Sequence, residues 1–456
     1  MALSTETTPV VRPRVVPGGF REIANLAYPV VLTQLSATAM GVVDAAMVGR
    51  LGATELAAVG FGAIWLWTLF SLFYGTASGV QTFVSQADGA GELRACGRWA
   101  WQGMFALVPA ATLTVAVLAT QVERAVTALG PSPEMQSAAS AYISTRLVGE
   151  VGFTAVMVLT SFFRGLGDTR TPLYVSLVAN VVNAVLDYGL IFGELGLPRW
   201  GVAGAGTATA VGQWIAAALL FVAFRRRSLR QRFGTEPVAP RASEIRRFLR
   251  TGAPIGGQWC IAMTSFAVFT TVVAHMGDTS MAASHAFVML LSLSFMQAIG
   301  VSIASSTLVG RYVGARDPEA VARSFRSSMV LGAALAGIVA LLFVTFPTPL
   351  LRVFTDDPGV VALGRPLLLV GALFQLFDAL AIIAEGALRG AGDTRWPFLV
   401  ETALAWGVFV PLAYTLGVVL EGGLTAAWCG GLFYIAVTAI VLVRRFQSGA
   451  WKRISI

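Results

Sequence analysis

Long apolar stretches recur along the whole chain and are separated by short polar segments. A stretch of more than about 18 apolar residues can cross a hydrocarbon core of roughly 30 Å as an α-helix. The alternation of apolar and polar positions that marks barrel strands is missing, so the pattern predicts helices. Twelve spans are predicted, near residues 22–48, 56–86, 98–120, 137–161, 172–194, 201–224, 248–275, 281–309, 325–346, 360–388, 397–419 and 423–443.

One motif appears twice in the chain. The segment Arg164-Gly-Leu-Gly-Asp-Thr-Arg-Thr-Pro172 returns, nearly letter for letter, as Arg389-Gly-Ala-Gly-Asp-Thr-Arg-Trp-Pro397. The offset of 225 residues is about half of the 456-residue chain, and it also superposes Pro29 on Pro254. We therefore interpret the chain as a tandem duplication of one unit, an organisation typical of transporters.

The predicted fold is an all-α polytopic membrane protein with about twelve transmembrane helices in two six-helix lobes. Because six spans are an even number, both units insert with the same orientation, and their pseudo-twofold axis runs along the membrane normal. The predicted parts are a cytoplasmic tail (1–19), an N-lobe (20–224), a basic cytoplasmic linker (225–247), a C-lobe (248–445) and a second cytoplasmic tail (446–456).

Composition and charge agree with a membrane protein and predict its orientation. Hydrophobic residues make up 56% of the chain and charged residues 12%, whereas soluble domains carry about 25% charged residues. Of the 32 lysines and arginines, 26 fall in segments on the side of the termini. The positive-inside rule therefore predicts a multi-pass protein of the plasma (inner) membrane with both termini cytoplasmic. Anionic lipid headgroups then explain the net charge of +8, and no nucleic-acid partner is expected.

Several motif matches carry no enzymatic chemistry. Gly165-x-Gly-Asp168 matches a signature of intramembrane aspartyl proteases, but it falls in an arginine-flanked cytoplasmic turn, outside the bilayer where such a protease acts. The three cysteines lie far apart, in no spacing that suggests a metal site or a disulfide framework. No Walker loop is present, so ATP is not the direct energy source. We expect no enzymatic activity and no cofactor beyond a coupling ion.

Carboxylates inside predicted spans are the sharpest clue to mechanism. A charged side chain at a helix centre costs roughly 2.5–3.5 kcal/mol on insertion scales, so such residues usually face a cavity and serve a function. A structural ion pair with Arg146 is the favoured role for Glu150, one turn away. Interfacial pairing is expected for the acidic residues near span ends, Glu385 and Glu401, with Arg389 and Arg395. For Asp378, a structural and a functional role remain equally open.

Asp44 and Asp187 form the strongest pair, because apart from Arg50 no basic residue lies within a turn or two of either. Asn183 and Asn180 precede Asp187 on the same helix face. Carboxylate and amide oxygens so arranged suit a hard cation such as Na⁺, and the same groups could hold a protonated carboxyl by hydrogen bonds. Two hydroxyl groups at the start of the sixth span are further candidates, Thr207 and Thr209.

The second unit supplies an internal comparison for this site. At the 225-residue offset, Asp44, Asn183 and Asp187 correspond to Phe269, Val408 and Leu412. The shared scaffold therefore does not require these polar groups, and we predict that the coupling site lies in the N-lobe.

These residues reveal a family resemblance. The chain resembles, over essentially its full length, the multidrug and toxic compound extrusion (MATE) transporters. The matching features are the doubled turn, Pro29 in the first span, Val43-Asp44, Val48-Gly49-Arg50-Leu51-Gly52 and the run Gly204-Ala205-Gly206-Thr207-Ala208-Thr209. The first-span stretch is most similar to the DinF-like branch. The seventh-span glutamate of the NorM-like branch falls on Ala262 here, which disfavours that branch.

The resemblance implies an antiporter that exports organic cations or amphipathic drugs by alternating access, driven by H⁺ or Na⁺. It also implies a cation site formed by Asp44, Asn183 and Asp187. The family's threonine partner for this site, which would also be a Na⁺ ligand, aligns best with Thr209. Thr207 is the alternative threonine. The alternative is a lipid-linked precursor flippase of the same superfamily, which would be expected to line its cavity with several arginines. We expect a monomer in the lipid bilayer that binds small-molecule substrates.

The sequence indicates moving parts and substrate contacts less clearly. Pro29 removes one backbone hydrogen bond of the first span and predicts a hinge. Methionine and aromatic side chains and one carboxylate are candidates for lining a substrate cavity, although such apolar side chains more often pack between helices or face lipid. The candidates are Met40, Met47, Phe61, Trp65, Phe153, Phe163 and Asp378.

Overall fold

The computed structural model describes residues 16–129 and 132–454, apart from the side chain of Leu293. These residues contain no strand, and twelve of their helices are long and apolar enough to cross a membrane, which confirms the predicted fold class. The helices are α1 (Phe20–Gly49), α2 (Ala53–Gly89), α3 (Leu93–Ala119), α4 (Pro133–Gly165), α5 (Arg170–Phe192), α6 (Val202–Phe224), α7 (Ala242–Ala274), α8 (Asp278–Gly314), α9 (Pro318–Thr345), α10 (Pro358–Gly390), α11 (Arg395–Val419) and α12 (Gly423–Gln447).

The helices extend beyond the apolar spans where polar turns continue them outside the bilayer. α7 begins at Ala242, six residues before the predicted span, because the arginine-rich turn that precedes the apolar stretch is also helical. The basic linker contains a short helix of its own, Arg227–Phe233. α11 is interrupted by two π-helical segments, Ala405–Phe409 and Thr415–Val419. Of the predicted amino-terminal tail, residues 1–15 lie outside the described residues.

The helix packing repeats between the two halves. In the N-lobe α2 packs against α4 and α4 against α6, and in the C-lobe α8 packs against α10 and α10 against α12. The first helix of each half also crosses to the other half, so that α1 packs against α8 and α7 against α2. The duplication read from the sequence is therefore a duplication of packing, and the first helices join the two lobes.

Glycines let α2 and α7 pass each other with their backbones in contact. A Cβ atom on Gly75 would lie 2.6 Å from the Cα atom of Gly256, and one on Gly79 would lie 2.9 Å from the Cα atom of Gly252. Real Cβ atoms do not approach so closely, so a side chain here would push the helices apart. The hydrophobic effect does not drive helix association within lipid. Small residues at such a crossing instead allow close van der Waals packing of the two backbones.

The lobes also meet at the face of the molecule where the linker and the two ends of the described chain emerge, here called the termini face. There the Thr82 hydroxyl donates to the Arg389 carbonyl at 3.0 Å, and the Thr307 hydroxyl donates to the Arg164 carbonyl at 2.9 Å. Both donors and both acceptors are related by the 225-residue offset. Each lobe thus donates a second hydrogen bond to a helix-end carbonyl of the other, since the Gly167 and Gly392 amides already donate to the Arg164 and Arg389 carbonyls.

A second pair of contacts at the same face comes from equivalent positions with different side chains. The Gln86 amide donates to the Gly390 carbonyl at 2.9 Å, and its counterpart Arg311 donates to the Leu166 carbonyl at 2.9 Å. Arg311 Nε also forms an ion pair with Asp88 Oδ2 at 2.9 Å, so the charged link occurs on one side only. We refer to the cross-lobe contacts of Thr82, Thr307, Gln86 and Arg311 as the termini-side seam.

We predict that Arg311→Gln destabilises the seam. The change removes a charge-assisted link between the lobes and leaves Asp88, whose side chain is 16% exposed, without its cation. Hydrogen bonds to charged groups contribute about 1.5–3 kcal/mol, so the apparent unfolding temperature of the detergent-purified protein should fall. Arg326→Gln, an equal charge change at an exposed residue of α9, is the matched control. Equal unfolding temperatures for the two variants would contradict the proposed strength of the seam.

Candidate functional site

Asn183 joins the two strongest carboxylate candidates. Its Nδ2 atom donates to Asp44 Oδ1 at 3.1 Å and to Asp187 Oδ2 at 2.5 Å, and the one –NH₂ group has a hydrogen for each. Asn183 and Asp187 are one turn apart on α5, which places them on the same face, and Asp44 reaches them from α1. The sequence therefore identified three residues that meet, 139 positions apart along the chain.

The carboxyl pair lies inside the N-lobe on the side of α5 that faces α1. Asp187 is fully buried, Asn183 is 6% exposed, and Asp44 is partly exposed. The two carboxyl groups also interact electrostatically with each other. Among the described residues Asp187 Oδ1 has no hydrogen-bond partner. Two carboxyl groups that face each other in a poorly solvated place need a proton or another cation between them.

Asn180 has a different role from the one expected. Its amide donates to the carbonyl of Ser36 at 3.2 Å and to the Ser36 hydroxyl at 2.7 Å. Asn180 therefore ties α5 to α1 about two turns away from Asp44. The helical spacing correctly placed it on the face of Asn183, but these hydrogen bonds attach the helices and do not reach the carboxyl pair.

The sixth-span threonines donate to their own helix. The Thr207 hydroxyl bonds to the Ala203 carbonyl at 2.8 Å, and the Thr209 hydroxyl bonds to the Ala205 carbonyl at 3.0 Å. α6 meets Asn183 through a glycine, since a Cβ atom on Gly212 would lie 3.4 Å from Asn183 Oδ1. The hydroxyl oxygens keep free lone pairs, so the place of either threonine in a cation site stays a prediction.

A second charged group adjoins the pair in the N-lobe. Arg146 Nη1 lies 3.6 Å from Glu150 Oε1, which confirms the ion pair expected one turn apart on α4. Glu150 is 1% exposed and also accepts a hydrogen bond from the Tyr74 hydroxyl. Arg146 interacts electrostatically with Asp44 as well. Neither Tyr74 nor this link was predicted from the sequence, because helical spacing pairs Arg146 with Glu150 alone.

The candidate cavity residues do not form one lining. Phe163 is 2% exposed and packs edge-on against Phe162 at 5.3 Å in the core near the termini face, so a substrate contact for it stays a prediction. The other five N-lobe candidates lie farther from the termini face on α1, α2 and α4. Four of them are partly exposed, Met40, Met47, Phe61 and Phe153, and Trp65 is exposed.

The C-lobe contains a polar cluster of its own. Glu385 pairs with Arg389 one turn later on α10, as expected, and Arg389 Nη2 also contacts Gln258 Oε1 at 3.3 Å. Glu401 lies on the same cluster, beside Gln258 and Arg389, whereas its expected partner Arg395 is exposed. The sequence signal for Gln258 was a polar residue one turn after Pro254 in an apolar helix, where only carboxylates had been considered.

Asp378 lies two turns before Glu385 on α10, at the edge of this C-lobe cluster, and is partly exposed. A substrate contact for it stays a prediction. Within the residues that the structure describes, no group of three or more His, Cys, Asp or Glu side chains has the arrangement of a metal site.

Comparison with known proteins relates this architecture to one family. The MatE family profile matches residues 29–189 and 254–415, one match for each half. The probable multidrug resistance protein NorM of Thermotoga maritima is 30% identical over 442 residues, covering 96% of this chain and 94% of that protein. The multidrug resistance protein MdtK of Pectobacterium atrosepticum is 30% identical over 436 residues, covering 94% and 95%.

The fold agrees with solved structures as well. A MOP superfamily transporter from Pyrococcus furiosus superposes with a TM-score of 0.87 at 19% identity, covering 97% of this chain and 98% of that one. At this identity the likeness establishes the fold alone. The two profile matches begin at Pro29 and Pro254, the residues that the internal repeat superposes. With twelve membrane-length helices in two equivalent halves, this chain belongs to the MatE family, that of the MATE transporters.

Proposed function

We propose that this protein is a cation-coupled antiporter that exports organic cations and amphipathic drugs by alternating access. Asp44 and Asp187 carry the coupling cation in the N-lobe. The observation that carries the proposal is the bridge of Asn183 between the two carboxyl groups, inside a helical bundle where an uncompensated charge is expensive. The relatives named as multidrug resistance proteins support the direction and the substrate class.

The proposal extends to location and branch. The excess of basic residues on the termini face supports a cytoplasmic position for both termini and insertion in the inner membrane. The set Asp44, Asn183, Asp187 supports a DinF-like site. The relatives' names do not favour the flippase alternative.

α1 supplies the mechanical link between cation binding and the lobes. Its second half holds Asp44 against α5, while its first half packs on α8 of the other lobe, where a Cβ atom on Gly300 would overlap the Val31 side chain. The Tyr312 hydroxyl of α8 donates to Glu22 of α1 at 2.9 Å. A change in charge at Asp44 therefore acts on a helix that is attached to both lobes.

Cation binding changes which position of α1 is favoured. Without a cation, Asp44 and Asp187 repel each other and depend on the two Asn183 hydrogen bonds. A bound proton or cation cancels the repulsion, draws α1 towards α5 and reduces the space left for a substrate in the N-lobe. Cation entry from the outside then expels the substrate, and cation release to the inside resets the site. An antiporter requires that the cation favour one position of α1 and the substrate favour the other.

The electrical energy available is sufficient for such coupling. One charge that crosses the membrane contributes about 2.3 kcal/mol per 100 mV, so ~150 mV supplies about 3.5 kcal/mol. Since about 1.4 kcal/mol corresponds to a tenfold change, one cation supports a gradient of a few hundredfold for an uncharged amphipathic substrate. Exchange for a monovalent organic cation moves no net charge, so its energy comes from the concentration gradient of the coupling cation.

Asp44→Asn should abolish gradient-driven transport of a fluorescent organic cation in proteoliposomes. Asparagine keeps the size and one hydrogen-bonding oxygen but cannot take up or release a proton. The measurement is substrate uptake under an imposed pH gradient and, separately, under a Na⁺ gradient, without ATP. Glu55→Gln, at the start of α2 outside the proposed site, is the control for loss of one carboxylate. Drug resistance of cells that express Asp44→Asn at wild-type level would refute the coupling role.

Asn183→Val tests the bridge itself, because valine is the residue at the equivalent C-lobe position, Val408. The change removes two hydrogen bonds to carboxyl groups, each worth about 1.5–3 kcal/mol. We expect gradient-driven uptake to fall at least about tenfold, since about 1.4 kcal/mol corresponds to a factor of ten. Asn180→Val is the matched control, and we expect a smaller loss from it because Asn180 bonds to Ser36. If Asn180→Val lost more uptake than Asn183→Val, the essential amide would be that of Asn180.

Pro29→Ala tests the predicted hinge. α1 is continuous from Phe20 to Gly49 through buried Pro29, whose nitrogen cannot donate to the Asn25 carbonyl. Alanine restores this hydrogen bond and should stiffen α1, so turnover should fall while substrate binding persists. The measurements are the transport rate in proteoliposomes and the substrate affinity in detergent. Unchanged turnover would show that α1 does not need to bend at this position.

A further inference from the structure

Arg146 is the cation closest to the N-lobe carboxyl groups, and it is incompletely paired. Its side chain is 18% exposed, and its ion pair with Glu150 is long, at 3.6 Å. Among the described residues its Nε and Nη1 atoms form no hydrogen bond. A guanidinium group offers five N–H donors, so this one retains donors for another acceptor. Glu150, by contrast, is also held by the Tyr74 hydroxyl.

The internal repeat separates a structural ion pair from a functional one. At the 225-residue offset, Arg146 and Glu150 correspond to Gly371 and Gln375. In the C-lobe the ring of Phe287 lies against Gly371, where a Cβ atom would overlap it. An ion pair needed only to hold the fourth helix of a lobe would be retained by the common scaffold. Instead the pair is lost at the equivalent positions together with Asp44 and Asp187, which correspond to Phe269 and Leu412.

Four charged residues therefore form one unit, with three carboxyl groups and a single guanidinium. The charged and titratable groups that face Arg146 come from the helices packed around it. They are Asp44 of α1, Tyr74 of α2, and Tyr142 and Glu150 of α4, and Asp187 of α5 joins them through its interaction with Asp44. One proton shared by the Asp44 and Asp187 pair leaves the unit with a net charge of −1, and a second proton makes it neutral.

We propose that Arg146 makes the N-lobe site selective for protons over Na⁺. Its guanidinium group supplies a permanent positive charge beside the Asp44–Asp187 pair, in the place that a bound Na⁺ would take. The inference rests on the proposed function of that pair. Arg146 interacts with Glu150 when the pair is protonated and is drawn towards Asp44 when the pair has lost its proton.

The ligand chemistry around the pair supports this choice. Na⁺ is a hard cation that needs several oxygen ligands at one point. Asn183 turns its N–H donors towards both carboxyl groups, and Arg146 brings further N–H donors to the same side. A proton needs no coordination shell, because one carboxyl oxygen carries it and a second accepts a hydrogen bond. A positive neighbour also favours release of the proton, which a transport cycle requires.

Arg146→Gln tests the proposal in proteoliposomes that take up a fluorescent organic cation from the external solution. Wild-type uptake should respond to a pH gradient and not to a Na⁺ gradient alone. In Arg146→Gln the pair should retain its proton to higher pH, so the pH of half-maximal transport should rise by about one unit or more, the shift that a nearby opposite charge causes. The variant should also gain a Na⁺-dependent response. Arg124→Gln, an exposed arginine outside the spans, is the matched control.

A double variant separates this role from a structural one. If Arg146 only neutralises Glu150, then Arg146→Gln combined with Glu150→Gln removes both charges and restores the wild-type pH profile. The proposal expects the shifted profile to persist, because the positive charge beside Asp44 is still missing. If Arg146→Gln alone does not accumulate in the membrane, this double variant provides the test, since it leaves no buried charge unpaired. Recovery of the wild-type profile would overturn the proposal.

The outcomes also distinguish this inference from the proposed function. Wild-type transport driven by Na⁺ alone would overturn the role of Arg146 and leave the carboxyl pair as the coupling site. The role of Arg146 is also overturned if Asp44→Asn is inactive while Arg146→Gln keeps the wild-type pH profile and does not respond to Na⁺. Transport that survives in Asp44→Asn would instead refute the proposed function itself.

Discussion

The attachment of α1 to both lobes is the constraint on which the rest of the structure depends. Asp44 is hydrogen bonded to Asn183 of α5, while Glu22, at the other end of the same helix, is hydrogen bonded to Tyr312 of α8. Much of the second half of α1 is exposed, with Val42 65% exposed, although Val48 at its end is fully buried. In this half of the helix the hydrogen bonds to α5 contribute to its position and depend on the charge of Asp44. The charge state of Asp44 can therefore affect the arrangement of two lobes.

The termini-side seam lies at the doubled motif. The turns that follow Arg164 and Arg389 present backbone carbonyls, which accept hydrogen bonds from Thr307 and Thr82 of the opposite lobe. Because each lobe donates to the other at equivalent positions, one sequence requirement serves both sides of the pseudo-twofold axis. These bonds are individually modest, about 0.5–1.5 kcal/mol, so the seam can close tightly and still open during a transport cycle. Strong apolar packing at this face would hold the protein in one state.

Hydropathy and the repeat predicted the twelve helices and the two lobes, since membrane spans must be long and apolar. Helical spacing also found Asn183 and Asp187, because residues four apart on a helix share a face. It could not separate Asn180 from them, because the partner of Asn180 is Ser36 of another helix and depends on how α1 and α5 are aligned. The burial of Phe163 likewise depends on the surrounding helices and could not be predicted from its position in the sequence. Gln258 was missed because a neutral side chain carries no charge penalty that would mark it in an apolar stretch.

The two lobes share one scaffold but distribute charge differently over it. The N-lobe gathers Asp44, Asp187, Glu150 and Arg146, while the C-lobe gathers Glu385, Glu401 and Arg389 at positions that do not correspond to them. Arg389 is the counterpart of Arg164 in the doubled motif, whereas the carboxylates of the two clusters lie at positions that are not equivalent. The shared packing therefore does not require the carboxylates of either cluster. Identical charged sites would make the two lobes respond alike, whereas sites that differ allow the proposed coupling cation to act on one lobe alone.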